Sequence, residues 1–135
     1  MHRNAIQQLL KKADEMEVRV EWCNLFDSYT PPASSTKYRS IVMNMNWHKT
    51  NEIIFQLAHE LSHIINHDSC EMAFYHASYS SHERIEREAN IGAIKLLLPI
   101  YKEMTNQMNI MDFMEKFSIP HYLFDNVYKI MKEQN

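Results

Sequence analysis

The sequence predicts a mainly helical α+β domain, and three observations carry that expectation. A single glycine, Gly92, stands among 135 residues, so turns that need a positive φ should be few, which favours helices joined by loops over a hairpin-rich sheet. Apolar residues at positions 54, 57, 58, 61, 64 and 65 recur at the helical period, and no Gly or Pro falls between Thr50 and His67. Two short segments are strand-like instead: Val18–Trp22 alternates apolar and polar residues, and Tyr38–Asn44 is centred on Ile41-Val42. Two strands make only a small sheet.

Taken in order, Asn4–Glu15 carries Ile6, Leu9, Leu10 and Ala13 on one face and Lys11, Lys12, Asp14 and Glu15 on the other, an amphipathic first helix. Asp27–Lys37, with Pro31-Pro32 and several Ser and Thr, reads as a loop between the two strands. Thr50 or Asn51 is placed to cap the central helix. Met72–Tyr79 reads as an extended stretch crossing near that helix. Ser80-Ser81-His82-Glu83 has the form of a capping box, opening a third helix that Pro99 should close. Beyond it, Ile110, Phe113, Met114 and Phe117 form one helical stripe, and Leu123, Phe124, Val127, Ile130 and Met131 form another, separated by Ser118-Ile119-Pro120. The length suits one core, so residues 1–135 are expected to be a single domain. Within it lie an N-terminal helix (1–17), a small sheet (18–44), a pair of helices (50–99) and a C-terminal helical part (100–135).

Composition excludes several function classes. A net charge of −3 and a pI near 6.2 leave no basic field for a nucleic-acid backbone, and Asp112, Glu115 and Asp125 dilute the helix-turn-helix outline of Phe113–Met131. No apolar run reaches the length of a membrane span. Cys23 and Cys70 do not make a secreted disulfide framework and no signal peptide is read, so a cytoplasmic location is expected.

The chemistry is concentrated in His59-Glu60-Leu61-Ser62-His63. At about 100° per residue, positions 59 and 63 lie one turn apart on nearly the same face, so two imidazoles can reach one ion. Glu60 points aside, where a carboxylate can take a proton from a water on that ion. This is the metallopeptidase pattern. A catalytic zinc wants three protein ligands and an open position. On the third helix Glu86, Asn90, Ala93 and Leu97 share a face, with Glu88 about 200° away. Glu86 is therefore the expected third ligand, against the competing reading of Glu83–Glu88 as an exposed, salt-bridged face. Asn90, one turn on, can fix the tautomer of a ligating imidazole. Gly92 and Ala93 are small enough to let the two helices approach closely. His67 has rotated about 80° from His59 and is expected to cap or decorate the helix end. A rival structural clip would use His63, His67 and Cys70. Tyr75, His76, Tyr79, His82 and His121 are oxyanion-stabilising candidates by residue type only.

With these residues in view, the sequence resembles the ImmA/IrrE metallopeptidases of bacteria and their mobile elements. The likeness lies in the HExxH run at His59–His63 and in Glu86-Arg87-Glu88-Ala89-Asn90-Ile91-Gly92-Ala93, followed by Leu96-Leu97-Leu98-Pro99, and covers Tyr38–Pro99. It implies a minimal zincin-like core with the sheet packed on the HExxH helix. It also implies one Zn²⁺ held by His59, His63 and Glu86, with Glu60 as the catalytic glutamate. Ser62 stands where many members have Gly, and Leu98 where Met is frequent. The implied substrate is a helix-turn-helix repressor of a phage or integrative element, with no direct contact to nucleic acid or membrane. The alternative is a metal-stabilised binding module that sequesters such a regulator without cutting it.

Overall fold

The computed structural model describes residues 3–67 and 79–134, with the side chains of 79–81 left out. Helix α1 (Arg3–Glu15) buries Ala5, Leu9 and Ala13, spaced by four residues on one stripe. It ends in a Schellman turn, in which Val18 N–H donates to the Ala13 carbonyl at 2.8 Å and Glu17 N–H to the Asp14 carbonyl at 3.0 Å. Glu17 takes the left-handed position, with φ of 58°. The same device ends α4 (Ile110–Lys116), where Ser118 has φ of 51° and Ile119 N–H reaches the Met114 carbonyl at 2.9 Å. Positive-φ corners are thus filled by Glu17, Arg39 and Ser118, and Gly92 is not among them. The glycine serves another purpose.

The sheet has three strands in the order β1-β3-β2. Strand β1 (Arg19–Cys23) runs parallel to β3 (Ser40–Asn44), with Val20 opposite Ile41 and Trp22 opposite Met43. Both expected strands are present. Strand β2 (Ala33–Ser35) pairs antiparallel with β3 from within the stretch read as a loop. The preceding turn is organised by Asn44, which is fully buried and donates through Nδ2 to the carbonyls of Asp27 and Thr30 at 2.7 and 2.9 Å. Its Oδ1 accepts from Asn46 N–H at 2.8 Å. A buried amide with these polar atoms paired fixes the loop, and so fixes where β2 starts.

Helix α2 (Ile53–His67) carries the apolar stripe that the period predicts, with Ile54, Leu57, Ala58, Leu61 and Ile64 wholly buried. Neither Thr50 nor Asn51 caps it. Thr50–Glu52 form a 3₁₀ turn that runs straight into the helix, and its leading residue, Lys49, supplies no side-chain cap. Asn51 has another use: its Nδ2 donates to Ser118 Oγ at 2.9 Å, tying this turn to the end of α4.

Helix α3 runs from Tyr79 to Met104, so Ser80 lies inside its first turn rather than ahead of it, and Pro99 lies within it rather than closing it. Proline in a helix interior costs about 3 kcal/mol. The extra turn offsets that by burying Ile100 and Tyr101, the latter completely. An aromatic side chain buries about 150–250 Å², worth about 4–6 kcal/mol at roughly 25 cal/mol per Å². Tyr101 Oη also donates to Asp112 at 2.8 Å. Packing wins over the breaker, and the exposed Pro99 faces away from it.

Helices α4 and α5 (Phe124–Glu133) close the core through Phe113, Phe117, Leu123, Val127 and Ile130. Apolar residues from α1, β3 and α2 through α5 join in one buried cluster. Among the described residues no helix is long and apolar enough to cross a membrane. Met72–Ala77 and Ser78, read as extended, lie outside the described residues, whereas Tyr79 begins α3.

The tightest approach is between α2 and α3. A Cβ built on Gly92 would lie 1.8 Å from Ser62 Oγ and 3.0 Å from Ser62 Cβ. The hydroxymethyl group of one helix occupies the place of the missing side chain on the other. Gly92→Ala is expected to destabilise by about 1–3 kcal/mol through overpacking, despite a helix-propensity gain of about 1 kcal/mol. Adding Ser62→Gly, which moves the glycine to the facing helix, should restore most of the loss. Urea unfolding midpoints of the three proteins measure both effects.

Candidate metal centre

Helix α2 turns His59 and His63 toward α3, where Glu86 meets them. His59 Nε2 lies 3.3 Å from Glu86 Oε1 and His63 Nε2 lies 2.9 Å from Glu86 Oε2. The rings stand edge to face with centroids 4.7 Å apart. One ligand atom from each residue falls within 4.8 Å of the others, so the group could hold a metal ion. Two imidazole nitrogens and a carboxylate oxygen are also the donor set that zinc accepts in open sites. One turn along α3, Asn90 Oδ1 accepts from His59 Nδ1 at 2.8 Å, which aims Nε2 into the cluster. His63 has no such orienting partner among the described residues, and its Nδ1 is buried without one.

The exposed-face reading holds for the neighbours of Glu86 and not for Glu86 itself. Arg84 and Glu88 approach each other at 4.0 Å with both side chains about half exposed. Glu86 lies on the inward side at the rim of a cleft of about 590 Å³. Residues 32–37 form one wall of that cleft, and Glu60, His63, His67 and Glu86 form the other. Glu60 is buried, at 8% exposure.

A family model supplies the remaining observation: the IrrE N-terminal-like domain, Peptidase M78, matches residues 13–123. The chain belongs to this peptidase family. The match extends well beyond the Tyr38–Pro99 likeness, from the end of α1 to the turn before α5, and so includes the sheet and both site helices. No curated protein and no solved structure matches the chain.

Within this M78 domain the electrostatics follow from burial and from the shared carboxylate. Burial opposes a charged His59, but the hydrogen bond to Glu86 and the charges of Glu60 and Glu86 outweigh it, so its pKa lies above the usual imidazole value. Hydrogen bonds from His59 and His63 hold the Glu86 carboxyl well below the usual carboxylate range. Burial pushes Glu60 up, and the Ser34 hydroxyl on the facing strand acts in the opposite direction.

Sequence reasoning missed the strand side of the cleft, because Ser34 and Thr36 carry no motif. It also placed His67 as a decoration of the helix end. His67 is half-buried, lines the cleft, lies 3.4 Å from Thr36 Oγ1 through Nδ1, and has its ring 5.4 Å from that of His63. Of the oxyanion candidates, His82 and His121 are exposed and do not line the cleft. Tyr75, His76 and the Tyr79 side chain lie outside the described residues, as does Cys70 of the rival clip.

The shared ion pair of the metal-free protein has a defined pH window. The raised His59 contributes stability that is complete below the unfolded imidazole pKa and is lost as pH rises through its folded value. The depressed Glu86 contributes stability that is complete above the unfolded carboxylate pKa and is lost as pH falls toward its folded value. Thermal unfolding of the metal-free chain against Glu86→Gln should therefore show the largest advantage for the unmutated protein between about pH 4.3 and 6.5. The gap should narrow on both sides, and a pH-independent gap would contradict the pairing.

Proposed function

We propose that this M78 domain is a zinc-dependent endopeptidase that cuts a cytoplasmic protein substrate, a helix-turn-helix repressor of a phage or mobile element. The observation that carries the reading is the convergence of His59, His63 and Glu86 beside the buried Glu60, at the wall of an open cleft. In this reading His59 and His63 bind through Nε2 and Glu86 through its carboxylate. An ion held there would supply Lewis-acid chemistry, polarising the scissile carbonyl and lowering the pKa of a water toward about 7.

The chain's own groups do the rest. Glu60 accepts the proton of the attacking water and delivers it to the leaving amine, and burial raises its basicity for the first task. Asn90 holds His59 in the ligating tautomer. Strand β2 lies at the edge of the sheet beside these residues, where an extended peptide can add as a further strand and present its carbonyl to the site. A net charge of −3 suits a basic DNA-binding regulator better than DNA itself.

The test is to mix the zinc-loaded chain with the helix-turn-helix regulator encoded beside it. Fragments are expected from the unmutated protein. Glu60→Gln should retain zinc and fold while cleavage falls about 10²–10⁴-fold. Equal loss of regulator activity by both proteins, without fragments, would instead establish a sequestering module. Asn90→Ala should weaken zinc binding by about 10–100-fold in a chelator competition, with the fold unchanged.

A further inference from the structure

Strand β2 breaks the rule that a sheet's inward face is apolar. In its antiparallel register Ser34 lies directly opposite Ile41. Directly paired residues project from the same face of a sheet, and Ile41 is completely buried on the face that packs against α2. Ser34 therefore stands where patterning calls for a hydrophobic side chain. Thr36, two residues on, lies in the turn that follows the strand. Both residues line the cleft whose other wall is formed by polar groups of α2 and α3. Thr36 Oγ1 pairs with His67 Nδ1, and Ser34 faces Glu60 across the cleft that both line.

We propose that Ser34 is a positioning residue for the peptidase reaction, its hydroxyl holding the buried Glu60 carboxylate in the orientation from which it takes the proton of the attacking water. A carboxylate with 8% exposure has lost most of its hydration and needs a donor from the protein. His59 and His63 direct their Nε2 atoms at Glu86 instead, leaving the strand side to serve Glu60. An apolar residue at position 34 would fill the same space and leave one carboxylate oxygen without that donor.

This inference rests on the endopeptidase reading, and the variants are chosen to separate the two. Cleavage of the adjacent regulator is measured for the zinc-loaded unmutated chain and for Ser34→Ala, Ser34→Thr and Ser34→Val, together with zinc content and thermal midpoint. Thr and Val have the same shape and both suit a strand, so a merely structural role treats them alike. The expected result is that Ala and Val lose kcat by about tenfold, the equivalent of one hydrogen bond, with KM and zinc content unchanged, while Thr stays within about twofold of Ser. Equal kcat for Thr and Val, or a loss that falls on KM or zinc content, overturns the role of Ser34 while the peptidase reading stands. Absence of cleavage by the unmutated chain removes both.

Discussion

The close seam between α2 and α3 is the constraint on which the rest of this structure depends, because it lets one carboxylate from α3 meet two imidazoles from α2. Glu86 is reached by His59 and His63 because the helices lie close enough for Ser62 Oγ to sit where a Cβ on Gly92 would be. Ser62 and Gly92 lie one residue before His63 and six after Glu86, so the steric fit and the polar contact share one interface. Ala89, Ala93 and Leu97 are buried beside it, which excludes water from most of the helix pair. The apolar interface supplies the free energy and sets the spacing. The polar trio uses that spacing.

The same packing puts polar groups where they would otherwise be costly. Glu60, Ser62 and His63 are all buried on α2, within a helix whose other buried residues are almost wholly apolar. A buried carboxylate without partners would simply take up a proton. Here the sheet answers that demand with Ser34 on the inward face of β2, and α3 answers for His59 with Asn90. Strand β2 is held by its ladder with β3, and Thr36 just beyond it pairs with His67 of α2. The edge of the sheet and the polar face of the helix are a matched pair.

That matching explains which parts were legible in the sequence. The site helices announced themselves, because His59, His63, Glu86 and Asn90 obey a helical period against an apolar background, and the structure brings these four together. Strand β2 did not, since Ala33-Ser34-Ser35-Thr36 after two prolines has no apolar alternation to detect. Ser34 and Thr36 are matched to Glu60 and His67, whose positions only the fold reveals. Pro99 misled for a related reason. Its local effect is to end a helix, but Tyr101 two residues later is fully buried and bonded to Asp112. The lone glycine signalled few positive-φ turns, and among the described residues Glu17, Arg39 and Ser118 are the ones that adopt that conformation, while Gly92 serves through its absent side chain.

The trio also bears on how a metal would enter. Structural zinc sites in small domains are commonly unfolded without the ion, because their ligands have no other partners. Here the three side chains already meet within the fold: Glu86 lies against both rings, and Asn90 keeps His59 aimed. Binding of an ion would then take place between groups already within 4.8 Å of one another, rather than ordering a chain. A catalytic site gains from this arrangement. A bound ion would add stability by mass action, while the apolar seam of α2 and α3 maintains the geometry by itself.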